Sequence, residues 1–513
     1  MLTSIKLFLK REAVLNGFFF LFIGFILLQR LFLFLTVNQD CVDNDQVVMW
    51  SGAKHFSQGL FYVPRYYGQD YNTMMEGLFA APLIKLGVSV YYAVPIATHF
   101  IFLTPFLFTA FYLFKKQKKE QAILVLAILL CLPVGFDIMT SIPRGFVTGL
   151  FFTSLFVVSL LNPKNYRFIL VNTFLAYVGY LVSQNSVIVS APFLFYLFLI
   201  NYKDKKYYIY SVIGIVLALP IDYALNHFYK ANPNYVLYGL TNEYSLDYFK
   251  DAILNLDKRF AHIGFFVEET SVIVLLTFIS LGVLLFKKNK KLLLSYLLFL
   301  VIILVSFSSS KVNDGIVWPF YSYSRMYLGF PIIIYLIIIN LDIDFKKIMW
   351  LVIPIVFVFT LFKEVTFKTT LAYHVQEKMW GHVHLNTLKE VIEAADITKR
   401  ICIEQGVNDF VIVNSAWHDD EINYAGPAIY DDFPNTFKPS FERRTWRILE
   451  EKVNIHDKFV IYTGDYNYDK LILEQYKDVD ITKINDYGVF LIKNNKRTTV
   501  DFIKHIKGLT DGF

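Results

Sequence analysis

Two carboxylates one residue apart, Asp43 and Asp45 in the run Asp43-Asn44-Asp45, are the sharpest chemical feature of this chain. Such a pair can hold a divalent cation such as Mg or Mn through oxygen ligands, or one member can deprotonate an incoming hydroxyl. The bland reading is local, since Asp45 also suits the N-cap of the amphipathic stretch that follows. Arg65, Tyr66, Tyr67, Gly68, Gln69, Asp70, Tyr71 and Glu76 come next, a cation, amides and rings of the kind that hold phosphates and sugars. An aromatic belt at a membrane interface accounts for several of these tyrosines but poorly for Gln69 and Glu76.

Other candidates are scattered. Arg144, beside Pro143, and Arg325, in Tyr321-Ser-Tyr-Ser-Arg325, offer guanidinium forks suited to phosphate, as does Arg65. Each could equally be a snorkelling anchor at the interface. Arg30 lies inside an apolar run beside Gln29 and must face a cavity or snorkel outward. Gln184-Asn185 reads either as a sugar contact or as a polar turn, and His262 either as a substrate contact or as a solvated loop histidine. His374, His382, His384 and His418-Asp419-Asp420 lack ligand spacing on a predicted helix, so no metal site is assigned to them. No Walker loop, dinucleotide-binding glycine fingerprint or G-x-S-x-G elbow stands at a strand-to-helix junction, which disfavours ATP-driven transport and serine-hydrolase chemistry.

The elements that position these residues are membrane helices. Of 513 residues, 55% are hydrophobic and only 18% charged, with a mean hydropathy of +0.45, well outside the soluble norm. The apolar residues come in blocks long enough to span a bilayer. The first, Gly17 to Val37, follows Lys6, Lys10 and Arg11; its length and the lack of a small-residue cleavage site mark it as a retained helix. Further spans are expected at 91–114, 121–138, 145–161, 168–182, 186–200, 207–226, 270–286, 292–308, 326–340 and 348–362, giving about eleven. Lys115 to Lys119, Lys164 to Arg167, Lys203 to Lys206, Lys287 to Lys291 and Lys346-Lys347 then fall on one side, which the positive-inside rule makes cytoplasmic. The net charge of +6 is therefore topology rather than a nucleic-acid signal. Cys41, Cys131 and Cys402 are far apart and form neither a disulfide framework nor a zinc motif.

With the N-terminus inside, the polar mass faces outward: a first loop at about 38–90, a second at about 227–269, and everything after Lys363. In the first loop Met49, Ala53, Phe56 and Leu60 recur at helical spacing before Gly59 and Pro64, and a second interfacial helix is expected to begin at Asp70. Residues 1–363 are read as an α-helical membrane bundle and 364–513 as an extracytoplasmic α/β domain. In the latter, 386–405 and 445–452 have helical period, while 410–413, 459–462 and 489–492 read as buried strands of a partly parallel sheet.

The acidic pair, followed by Gly59-Leu-Phe-Tyr62, Tyr67-Gly-Gln69-Asp-Tyr71 and Glu76-Gly-Leu-Phe-Ala-Ala-Pro82, resembles the GT-C membrane glycosyltransferases. The likeness is nearest to the bacterial protein O-mannosyltransferases and aminoarabinose transferases, and its motifs cover about the first hundred residues. It implies a polyprenyl-phosphate sugar donor, a lipid, glycan or protein acceptor, and an acidic base or metal ligand at Asp45 or Asp43. The family often has Asp-Glu where this chain has Asp45-Gln46, which leaves metal dependence open. The resulting expectation is an inverting transferase at the outer face of a bacterial cytoplasmic membrane. The alternatives are a transporter or flippase of lipid-linked sugars, which should carry ionisable residues near the membrane midplane, a polymerase or ligase of lipid-linked saccharides, and a membrane scaffold.

Overall fold

The computed structural model describes residues 2–67, 72–232, 242–313, 323–341, 345–377, 379–380, 383–412, 425–437, 458–462, 479–484 and 489–494. They fall into two compact units. The first comprises Met1–Val37, Pro95–Ala224 and Leu240–His382; the second comprises Asn38–Val94, Leu225–Gly239 and Val383–Phe513.

The first unit is a helical bundle built for lipid. Its outward faces are apolar, with Phe20, Leu28, Leu31, Val212, Phe286 and Val358 all exposed. In water such a surface would be an aggregation hazard, whereas against acyl chains it costs nothing and the helices satisfy their own backbone groups. Among the described residues six helices are long and apolar enough to cross a membrane, including 12–40, 90–115, 205–231 and 271–288. Two more, Thr148–Leu161 and Tyr166–Val182, are shorter and apolar. The protein is an integral membrane protein.

Several of the eleven expected spans are helical but short or broken, which is why fewer pass as full-length crossings. The block at 121–138 folds as two pieces, Lys119–Leu130 and Val134–Met139. Pro133 stands between them, with no N–H to give the preceding turn and a ring that blocks it. The block at 145–161 opens as a 3-10 turn, Thr148–Thr153, before Phe156–Leu161. The short Val134–Met139 helix carries one polar side chain, Asp137, and buries it.

The second unit joins the first loop to the carboxy-terminal part. Asn44–Ser57 is a helix as its spacing predicts, burying Met49 and Ala53 and ending before Gly59. The next helix is Met75–Lys85, not a helix starting at Asp70: residues 72–74 are not helical and Met74 makes no side-chain cap. An isolated antiparallel bridge ties Val42 to Asn386, each backbone N–H donating to the other's carbonyl at 2.8 and 3.0 Å.

Beyond it, Leu388–Glu404 is an amphipathic helix opened by a capping box of Thr387 and Glu390. Five strands form one sheet in the order Asn435–Phe437, Asp409–Ile412, Lys458–Tyr462, Val489–Asn494 and Val479–Lys483. The first two pairings are parallel and the last two antiparallel. The expected helix at 445–452, and Val413 with His418-Asp419-Asp420, lie outside the described residues.

Candidate functional site

In the second unit the two loop carboxylates divide their labour. Asp43, not Asp45, is the N-cap: its extended backbone lets Oδ1 accept the N–H of Gln46 at 3.0 Å, and the side chain is buried. Asp45 sits one turn-position further in, half-buried, on a helix start whose dipole favours negative charge. Its backbone carbonyl accepts the hydroxyl of Tyr66 at 2.5 Å, which fixes the turn that carries the carboxylate.

The departure from the family's Asp-Glu has a physical cause here. Gln46 is buried and donates its amide to the carbonyl of Cys41 at 2.7 Å. A glutamate, acceptor only when ionised, could not make that bond. Among the described residues no three His, Cys, Asp or Glu side chains come together as a metal cage. Asp43 thus gives Oδ1 to the cap, and position 46 presents an amide rather than a second carboxylate.

The other loop candidates are placed as follows. Tyr67 is buried and shares a 2.6 Å hydrogen bond with Nδ1 of His55. Arg65 is half-buried, its backbone N–H donating to the hydroxyl of Tyr229 at 3.3 Å. Glu76 is wholly buried in the first turn of Met75–Lys85. Gln69, Asp70 and Tyr71 lie outside the described residues.

In the first unit Arg144 and Arg325 meet at one ring. Their guanidinium carbons stand 5.8 and 5.9 Å from the centroid of Phe146. Two like charges held near one ring create a field favouring an anion. Gln184 and Asn185 turn out to build this place rather than stand apart from it. The Asn185 amide donates to the carbonyl of Phe146 at 2.9 Å, and Gln184 accepts from Lys311 at 3.1 Å, bringing a third cation to the same turn.

His262 is not a solvated loop histidine. It is fully buried, its backbone N–H donating to Ser324 Oγ, which in turn donates to the carbonyl of Arg259. Its ring lies flat against Gly135, where a Cβ would fall 2.2 Å from Nδ1, so only glycine allows the approach. Nearby, Glu268 accepts the Gly135 N–H at 2.5 Å and lies 4.0 Å from His262 Nδ1, too far for a hydrogen bond. Burial holds the imidazole well below its ordinary range and raises the Glu268 carboxyl to about 7. Both groups are driven toward neutrality, so the contact is no ion pair near neutral pH. The loop spends strain on this arrangement, since Phe266 and Glu269 both take left-handed backbone angles, φ 70° and 54°.

Arg30 is buried and paired inside the bundle rather than snorkelling outward. Its guanidinium donates to Asp137 at 3.3 Å and to Thr140 at 3.0 Å and lies over Phe102 at 4.3 Å. Gln29 donates to the other Asp137 oxygen at 2.7 Å, and Lys363 pairs with that same oxygen. Two cations thus share one buried carboxylate. The sequence reading missed Asp137 and Lys363; Asp137, a charge inside an otherwise apolar block, was the available signal, whereas Lys363 stands beside Glu364 at the end of one.

No family model and no curated protein matches the chain. Among solved structures it is similar to ArnT from Cupriavidus metallidurans bound to undecaprenyl phosphate, with a TM-score of 0.58 at 11% identity over 94% of this chain and 99% of that one. The apo state of the same protein gives a TM-score of 0.58 at 12% identity, over 93% and 98%. Over 94% of its length the chain has the fold of ArnT, in agreement with the GT-C resemblance carried by its first loop.

Proposed function

We propose that the protein is a GT-C-type glycosyltransferase that moves a sugar from a polyprenyl-phosphate donor to an acceptor hydroxyl at the outer face of a bacterial cytoplasmic membrane, with inversion. The observation that carries this reading is the fold likeness over 94% of the chain to ArnT, a protein crystallised with undecaprenyl phosphate. The lysine clusters between helices support the orientation by the positive-inside rule, placing the first loop and the carboxy-terminal part outside.

Asp45 is the proposed base, favoured over Asp43 because the latter is spent on the cap. It takes the proton of the acceptor hydroxyl as that oxygen attacks the anomeric carbon. The bond from that carbon to the phosphate oxygen breaks, and the lipid phosphate leaves with the electron pair. Arg144 and Arg325 are the proposed partners of that phosphate, since charge-assisted bonds from a guanidinium strengthen as negative charge grows on the leaving oxygen. No step is routed through a metal.

The rival reading, a transporter or flippase, draws support from the buried Arg30, Asp137 and Lys363, because ionisable residues inside a bundle are a transporter's usual equipment. Purified protein in proteoliposomes, given a panel of polyprenyl-phosphate sugars, separates the two. Sugar transfer or donor hydrolysis is expected; lipid movement across the bilayer without sugar release would replace the transferase with the flippase.

A further inference from the structure

The second unit contains a polar cleft of about 140 Å³ at the far end of the helix that the acidic pair opens. One wall is the end of the Asn44–Ser57 helix, with Lys54, His55 and Gln58; the other comes from the segment 427–436, with Tyr430, Asp431 and Phe433. Its volume suits one small ring. Its charges cancel, since Lys54 Nζ lies 2.5 Å from an Asp431 carboxylate oxygen. A phosphate or carboxylate ligand would have to compete with Asp431 for the ammonium. A hydroxylated neutral ligand can instead accept from Lys54 and donate to Asp431 while the pair stays in place.

The aromatic side of the cleft is held rigidly. Phe433 packs on Gly426, where a Cβ would fall 2.1 Å from the ring, so glycine is required beneath it. Tyr430 runs parallel to Phe433 within 11°, anchored through its hydroxyl to Asp396 at 2.6 Å and by Lys399 at 4.9 Å over its ring. A pyranose has an apolar C–H face and a polar rim, and a fixed ring beside alternating donors and acceptors complements both.

The cleft is also braced to the acidic end of the same helix. Tyr66 bonds the Asp45 carbonyl and Tyr67 bonds His55, so consecutive residues fix both ends. Nine residues of helix separate Asp45 from Lys54, about 14 Å at the usual rise. We propose that this cleft binds a neutral saccharide unit of the acceptor, so that the acceptor is a glycan. The acceptor assignment rests on the transferase reading; the saccharide site does not.

The test is ligand-observed NMR on the full chain in nanodiscs with neutral disaccharides of glucose, mannose, galactose and N-acetylglucosamine, and with glucose 6-phosphate and inorganic phosphate as anionic comparisons. At least one neutral disaccharide should bind saturably with Kd near about 1 mM, weakened about tenfold or more by Phe433→Leu and by Lys54→Gln. Gln58→Ala, an exposed change, serves should Phe433→Leu fail to fold, and should weaken binding in the same direction. No neutral saccharide binding, binding unaltered by the variants, or preference for the phosphates would each overturn the proposal. Since this readout needs no transfer, its failure alongside Asp45-dependent sugar transfer would remove the cleft and leave the transferase standing.

Discussion

Two lysine–aspartate pairs, one in each unit, show how surroundings rather than partners decide what an ion pair does. Lys363 and Asp137 in the helical unit are 5% and 1% exposed, with Arg30 on the same carboxylate at 4%. Lys54 and Asp431 in the second unit are 14% and 80% exposed. The first group has no water to fall back on, so removing one member strands the others. The second can be rehydrated at little cost, which frees it to exchange partners with a ligand. The helical unit uses charge to fix helices, and the second unit keeps charge available.

Breaking that contrast should give the largest effect at Asp137. Asp137→Ala leaves two buried cations unbalanced and should cost roughly 3–5 kcal/mol, read as a large drop in thermal midpoint in detergent. Replacing Arg30, Asp137 and Lys363 together with apolar residues of similar size should recover most of it. If the single variant melts like wild type, the three groups are not the buried unit described here.

Glu268 should give the next largest effect, and it depends on pH. Its folded carboxyl is raised from 4.5 to about 7, so between those values the folded protein holds a proton that the unfolded chain has released. Stability therefore falls as pH rises from about 4.5 to about 7 and levels off above, by an amount on the order of 3 kcal/mol at most. Thermal midpoints across that window should show this slope in wild type and lose it in Glu268→Gln.

Gln46→Glu restores the family's common residue but sets a carboxylate against the Cys41 carbonyl. It should destabilise by about 1–3 kcal/mol, measured by chemical denaturation, rather than improve the site. At the small end, Lys54→Gln should change stability by less than about 1 kcal/mol, sharpening the contrast with Lys363.

Much of this was legible in residue order, and the failures have causes. Long apolar runs gave the helices, because in lipid a chain has few other ways to satisfy its backbone. The loop helix at Asn44–Ser57 and the strands at 409–412, 458–462 and 489–494 followed from spacing. The cap was assigned to Asp45 rather than Asp43 because both have capping side chains and two residues' difference is below what propensity resolves. The Asp70 start failed for another reason: the helix opens at Met75 behind Met74, which offers no capping side chain to read.

Arg325 reaches Phe146 across 179 residues of chain, and Arg30 and Lys363 reach Asp137 across 107 and 226. Periodicity is a local signal and says nothing at such separations. What the sequence did show was the cost of a charge in an apolar run, which set Arg30 apart; the structure answers that cost with a buried partner, Asp137, that the sequence reading did not name.

The account stands most directly on Asp45. Sugar transfer from a polyprenyl-phosphate donor should be compared between wild type, Asp45→Asn and Asp43→Asn, each matched for thermal midpoint, with and without chelator. Loss of transfer by about 100-fold or more in Asp45→Asn, at unchanged donor binding and without chelator sensitivity, is the predicted result. Full transfer by Asp45→Asn, or abolition of wild-type transfer by chelator, would contradict it.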